Sequence, residues 1–198
     1  AKEGYREITL LGQNVNSYLR VEREKNIPFE EYQGVNSFAT LLRAINKIDG
    51  IERIRLGSLE PTLITEEFLE KLTKLEKICD HFHLSLQSGC TETLKRMNRK
   101  YDKKYFKEEI EKIRKVRPDI SITTDVIVGF PGETEDDFNE CVDFIKEINF
   151  SKLHVFPYSK RDGTVAAKMK DQIDGKVKKE RVKTLLDLSK TLEENYNN

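Results

Sequence analysis

Thr124-Asp125-Val126-Ile127-Val128-Gly129-Phe130-Pro131-Gly132-Glu133-Thr134-Glu135 decides the fold. Ile120, Ile122, Val126, Ile127 and Val128 are β-branched strand formers. Pro131-Gly132 supplies a turn, and the acidic run Glu133 to Asp137 places negative charge where a helix presents its positive end. A strand that breaks at such a corner and enters a helix is a βα unit. Its corner lies at the C-terminal end of a parallel strand, where open sheets and α/β barrels hold ligands. Gly129 and Gly132 would let a ligand approach the backbone closely. The same residues also describe a plain βα turn with no ligand.

Working outward, the pattern repeats. Tyr5 to Gly12 reads as a strand and Asn36 to Asp49 as an amphipathic helix with Phe38, Leu41, Leu42 and Ile45 on one face. Ile51 to Leu59 is a strand, and Thr65 caps a helix running through Ile78. His81 to Gln87 is the next strand, followed by a short helix Thr91 to Met97 and a longer one, Lys103 to Val116, stopped by Pro118. Ile120 to Val128 and Lys152 to Pro157 are the remaining strands; Glu135 to Ile148 and Val177 to about Tyr196 are helices. Strands each followed by helix predict an α/β fold with a parallel sheet and right-handed crossovers, a (βα) barrel or part of one. Asn14 to Gly34 and Tyr158 to Gly175 read as long polar loops.

The chain has 198 residues, which suits a single domain over 1–198. Lys plus Arg and Asp plus Glu number 35 each, so global charge gives no sign of nucleic acid. No stretch approaches the roughly 18 apolar residues of a membrane span. The first residues are not a signal peptide. The odd, widely spaced cysteines Cys79, Cys90 and Cys141 argue for reduced thiols in the cytoplasm. Cys79, His81 and His83 share strand parity and invite a metal, but three ligands along one strand rarely wrap a tetrahedral ion. We therefore expect no metal there.

Each strand ends in a polar or turn-forming corner: Gly12-Gln13-Asn14, Ser58-Leu59-Glu60-Pro61, Gln87-Ser88-Gly89-Cys90, Gly129 to Glu133, and Tyr158-Ser159-Lys160-Arg161. Together they favour a small-molecule site at the strand C-termini. Lys160 and Arg161 suit an RNA phosphate, or a solvated loop balanced by Asp162.

Leu11 to Tyr18 (LGQNVNSY), Leu56 to Pro61 (LGSLEP), His83 to Gly89 (HLSLQSG), Met97 to Tyr101, Asp125 to Thr134 and His154 to Thr164 (HVFPYSKRDGT) resemble the radical S-adenosylmethionine methylthiotransferases. LGSLEP and PYSKRDGT look most like the MiaB-like branch that methylthiolates threonylcarbamoyladenosine beside the tRNA anticodon. The resemblance implies S-adenosylmethionine and two [4Fe-4S] clusters as cofactors. It also implies a 5′-deoxyadenosyl radical acting at C2 of the adenosine, and the tRNA anticodon stem-loop as partner. By position, Gln13, Asn14, Ser58, Glu60, Gln87, Ser88, Arg99 and Asp125 become cofactor-binding candidates. Arg99 would face the methionyl carboxylate, and Gly129 with its neighbours the adenine.

The resemblance departs at the cluster. Cys-x3-Cys-x2-Cys is absent, as are an N-terminal cluster domain and a C-terminal RNA-binding domain, and no Cys spacing suits a cluster. The expectation is a partial barrel lacking its first, cluster-bearing strand, inactive by itself. A different radical enzyme and a non-catalytic RNA-binding or scaffold module are the competing readings.

Overall fold

A computed structural model describes residues 1–18 and 37–197. It divides into two compact units, one of residues 1–83 with 111–120 and one of residues 84–110 with 121–198. The elements are β1 Glu7–Leu10, α1 Phe38–Asn46, β2 Arg53–Leu56, β3 Ser58–Leu59, α2 Glu66–Thr73, β4 His81–Gln87, α3 Thr91–Arg96, α4 Lys103–Val116, β5 Ser121–Val128, α5 Glu135–Ile148, β6 Lys152–Pro157, α6 Val165–Lys168 and α7 Gly175–Asn197. Most of the predicted loop Asn14 to Gly34 lies outside the described residues. Among the described residues no helix is long and apolar enough to cross a membrane.

In the first unit β1 pairs β2 in parallel, Glu7 with Arg53 through Leu10 with Leu56, and Ile54 bridges to Ile78. Arg53 and Arg55 both donate to the Glu7 carboxylate at 2.7 and 3.1 Å. Their hydrogen bonds hold that carboxyl below its ordinary value. Ser37 caps α1 with a reciprocal capping box to Thr40, and Thr65 caps α2. The Phe38 and Phe68 rings stack at 5.9 Å between centroids, among the buried side chains Leu42, Ile54, Leu56 and Leu72. The single strand predicted over Ile51 to Leu59 is two strands, interrupted at Gly57. There the Gly57 amide donates to Leu10 O at 2.9 Å, and a Cβ would lie 2.8 Å from that same oxygen. The backbones meet too closely for any side chain. The predicted helix ends at Thr73 instead of Ile78, because Ile78 is needed beside Ile54.

In the second unit β4, β5 and β6 are consecutive in one sheet, and β5 pairs β6 in parallel from Thr123 with Lys152 to Val128 with Pro157. The Thr124 hydroxyl, fully buried, donates to Leu84 O at 2.5 Å and accepts from Leu86 N at 3.1 Å, stapling β5 to β4. An aromatic cluster fills the core. Phe106 lies 6.1 Å from Tyr101, 6.5 Å from Phe144 and 6.2 Å from Phe150 between centroids, and the Tyr101 hydroxyl donates to Ser85 O. Thr134 starts α5 with a capping box to Asp137, and Asn149 ends it in a left-handed conformation. The closing helix α7 buries Arg181, Leu185, Ser189 and Leu192, a stripe at helical spacing. Ser189 accepts from Leu153 N at 3.0 Å.

Candidate functional site

Parallel pairing of β1 with β2 sets their C-terminal ends side by side, so the corners Gly12 to Ser17 and Ser58 to Pro61 are neighbours. The join is Asn16. Its side-chain amide donates to Glu60 O at 3.0 Å and its oxygen accepts from Glu60 N at 2.9 Å, so both polar atoms of one peptide unit's flanks are held by one side chain. Thr62 Oγ1 donates to the Glu60 carboxylate at 3.4 Å. Val15–Ser17 forms a single 3₁₀ turn in which Ser17 N and Oγ donate to Asn14 O at 3.0 and 2.7 Å. Gln13 and Asn14 are exposed, Ser58 and Glu60 half-buried. Of these the structure ties Glu60 to Asn16 and Asn14 to Ser17, while Ser58 leads into Glu60 along β3; Asn16 lies within LGQNVNSY but outside the predicted site residues. An Asn two positions after a predicted site residue, within a strand-end loop, was the available signal.

The second unit builds its corner on unusual backbone. Gln87, at the end of β4, has φ 70°, a left-handed conformation rare for a non-glycine residue and found where surrounding structure enforces it. Ser88 is buried and its hydroxyl accepts from Cys90 N at 3.2 Å. Gly89 N donates to Cys141 Sγ at 3.0 Å, and a Cβ on Gly89 would lie 2.9 Å from Cys141 O. Asn98, also left-handed, ends the turn after α3 and presents Arg99, half-buried; among the described residues nothing pairs with its guanidinium. Asp125, half-buried, lies opposite His154 in the β5–β6 register. Lys160 and Arg161 are exposed beyond β6.

Gly129 is held from two sides. Its φ is 69°, and its amide donates to Glu133 Oε1 at 2.8 Å. A Cβ there would lie 2.2 Å from Lys178 Cγ, so the Lys178 stem packs on the bare Cα while its ammonium donates to Tyr158 O at 3.3 Å. Tyr158 stands edge-on to Phe130 at 5.3 Å, and among the described residues its buried hydroxyl has no partner. That hydroxyl and the Arg99 guanidinium are open hydrogen-bonding capacity of the kind a polar ligand satisfies.

Two networks absent from the sequence reading hold the turn in place. Arg181, 6% exposed in its side chain, reaches from α7 to Glu133, donating to its carbonyl oxygen at 3.2 Å and to Oε1 at 2.6 Å. Its other nitrogen donates to Glu135 at 3.0 Å, and its guanidinium lies 5.2 Å from the centre of the Phe138 ring. Burial pushes the Glu133 carboxyl above its ordinary value, against the Gly129 amide and the Arg181 charge. Arg96 donates to Asp137 at 2.5 Å and to Thr93 at 2.9 Å. Burial tends to raise the Asp137 carboxyl, but the Thr134 amide and Arg96 outweigh it and hold it low. Arg181 follows the basic residues Lys176, Lys178 and Lys179 in the chain, yet the structure buries it. Its spacing of four from Leu185 and eight from Ser189 was the signal.

Cys90 and Cys141 serve packing. Burial pushes their thiols up to about 11 and about 12 respectively. Cys90 Sγ lies 3.3 Å from Asp137 Oδ1. Iron–sulfur ligands are thiolates, so these two do not fit a cluster. His81 and His83 share a face, half-buried, but no group of three His, Cys, Asp or Glu that could hold a metal occurs among the described residues.

Comparison with known proteins follows the same lines. A tRNA-2-methylthio-N(6)-dimethylallyladenosine synthase of Thermoanaerobacter sp. (strain X514) is 49% identical over 95% of this chain and 38% of its own. The threonylcarbamoyladenosine tRNA methylthiotransferase MtaB of Bacillus subtilis (strain 168) is 45% identical over 98% of this chain and 41% of its own. The chain thus spans about two fifths of the length of these curated relatives. Among solved structures, coproporphyrinogen III oxidase (HemN) from Escherichia coli superposes with a TM-score of 0.62 at 17% identity, over 85% of this chain and 38% of that one. Streptococcus suis SuiB superposes with a TM-score of 0.55 at 16% identity, over 94% of this chain and 36% of that one. At such identity the likeness shows the fold alone. Residues 1–145, which carry every βα corner from Gly12 to Glu133, match the Radical SAM superfamily, and to that superfamily the chain belongs.

Proposed function

We propose that the chain is part of a tRNA methylthiotransferase that adds a methylthio group to C2 of a modified adenosine beside the anticodon. The observation that carries the reading is the near-half identity, along almost the whole chain, to enzymes named for that reaction. The polar corners at the strand C-termini support it. In the second unit Gln87, Ser88, Arg99, Asp125 and Gly129 are the candidates for S-adenosylmethionine; in the first, Gln13, Asn14, Ser58 and Glu60 are. Arg99, with its free planar fork, would take the methionyl carboxylate. S-adenosylmethionine would supply the radical that activates C2 and the transferred methyl group. With Cys90 and Cys141 held as buried thiols, Cys79 alone is left, too few thiolates for the two clusters that the resemblance implies, so the 198-residue chain is inferred to be inactive by itself. Lys160 and Arg161 are the candidate contacts to the anticodon stem-loop.

The substrate we favour is N6-threonylcarbamoyladenosine, from LGSLEP and PYSKRDGT. The test is mass spectrometry of tRNA nucleosides from cells with the gene deleted. The expected result is loss of the 2-methylthio form of threonylcarbamoyladenosine, with the unthiolated nucleoside accumulating. Loss of methylthio-dimethylallyladenosine instead would move the enzyme to the other class of relative, and an unchanged nucleoside profile would refute the reading altogether.

A further inference from the structure

A groove of about 380 Å³ runs along the outer face of α7 beside the start of β6. Val182 and Leu186 form part of its floor, and Leu186 is 44% exposed. Its rim carries Lys179, Lys183 and Lys190. At 100° per residue these three fall within about 40° of one another on the helix, along roughly 16 Å of its axis. All three are exposed, and among the described residues none has a carboxylate partner. Lys152, on the β6 side, is taken by Glu193 at 3.0 Å. Asp187, between Lys183 and Lys190, offsets part of the charge.

A chain of zero net charge therefore places three lysines that lack a carboxylate partner in one line, with Asp187 beside them. The line starts beside the strand C-termini, because Lys178, adjacent to Lys179, donates to Tyr158 O at the end of β6. Lys160 and Arg161 follow that same strand end. A regularly spaced polyanion matches a line of lysines, whereas a lone carboxylate on a protein surface matches one of them.

We propose that this lysine face of α7 docks the phosphate backbone of the substrate tRNA. The proposal rests on the tRNA reading above. Each phosphate neutralised adds about 0.9 to the slope of log affinity against log salt on a duplex. With Asp187 offsetting one charge, the face should contribute a slope of about 2.

The experiment is binding of fluorescently labelled tRNA to the 198-residue chain between low and moderate salt, with K179Q/K183Q/K190Q alongside. The expected result is a slope shallower by about 2 in the variant, with weaker binding at low salt and an unchanged circular dichroism melt. Lysine acetylation footprinting on the wild-type chain gives a readout independent of variant folding, and tRNA should protect these three lysines. Unchanged slope with unprotected lysines, or no tRNA binding by the wild-type chain, overturns the proposal. Polyglutamate protecting the same lysines as well as tRNA does would mark an acidic-protein surface and also overturn it. None of these outcomes touches the functional reading, which falls only if the tRNA of the deletion strain is unchanged.

Discussion

Replacing Arg181 with leucine should expose how the β5–α5 turn is held. Glu133 is 4% exposed and accepts from both the Gly129 amide and Arg181. Opposite unit charges about 4 Å apart in surroundings of effective dielectric near 20 attract by about 4 kcal/mol. Removing one partner of a buried pair costs about 3–5 kcal/mol, because the other charge is left buried and uncompensated. Glu133 can escape that cost by taking up a proton, and this gives the loss a pH signature. Its folded-state pKa is already raised above the ordinary 4.5 by burial, and without Arg181 it rises further. A raised pKa contributes stability that is fully present below the unfolded value and lost as pH climbs through the folded one. Relative to wild type, Arg181→Leu should therefore lose least near pH 4.5. Both chains lose stability alike until the pH passes the raised wild-type value; above it the deficit should widen by at most about 1.4 kcal/mol per pH unit, toward the about 3–5 kcal/mol of a broken buried pair. Urea unfolding followed by circular dichroism at pH 5, 6, 7 and 8 measures this. Glu133→Gln added to Arg181→Leu keeps an acceptor for Gly129 and removes the orphaned charge, so the double variant should be the more stable at pH 8. A deficit below about 1 kcal/mol at pH 8, or one flat with pH, would refute the reasoning.

Gly129→Ala forces a side chain into the left-handed region, at about 1–2 kcal/mol, and onto the Lys178 stem. Adding Lys178→Ala should recover the steric part only, and strictly additive losses in the double variant would contradict the packing. Thr134→Ala removes the cap of α5 and should cost about 1 kcal/mol in the same unfolding assay, while an unchanged midpoint would show the cap is not needed. Cys90 and Cys141, with thiols raised to about 11 and about 12, should resist iodoacetamide at pH 8 in the native chain and react fully in denaturant; peptide mapping that finds either alkylated natively at the denatured rate would contradict their burial. Reconstituting the chain with iron and sulfide should leave no stoichiometric cluster absorbance, and a cluster with bound iron near four per chain would overturn the inference of inactivity.

Much of this protein is legible without coordinates. Alternating β-branched runs and amphipathic stretches give period two and period 3.6 directly, so β4, β5, β6, α4 and α5 fall within a residue or so of their predicted ends. Caps are equally local, since Ser37, Thr65 and Thr134 each bond a backbone amide three residues on. The corners that carry the family motifs are contiguous stretches of sequence and are visible for the same reason. What tertiary structure alone decided is where separated segments meet. Gly57 breaks a strand only because Leu10 O lies against it. Arg181 is buried, and Lys179, two residues earlier, exposed, only because the opposite face of α7 packs on the sheet and Glu133 waits beneath it 48 residues away in the chain. Asn16 clamps Glu60 across 44 residues. Spacing along a chain fixes which face a side chain occupies, but not what stands opposite that face, and desolvation, charge compensation and close backbone approach all depend on the latter.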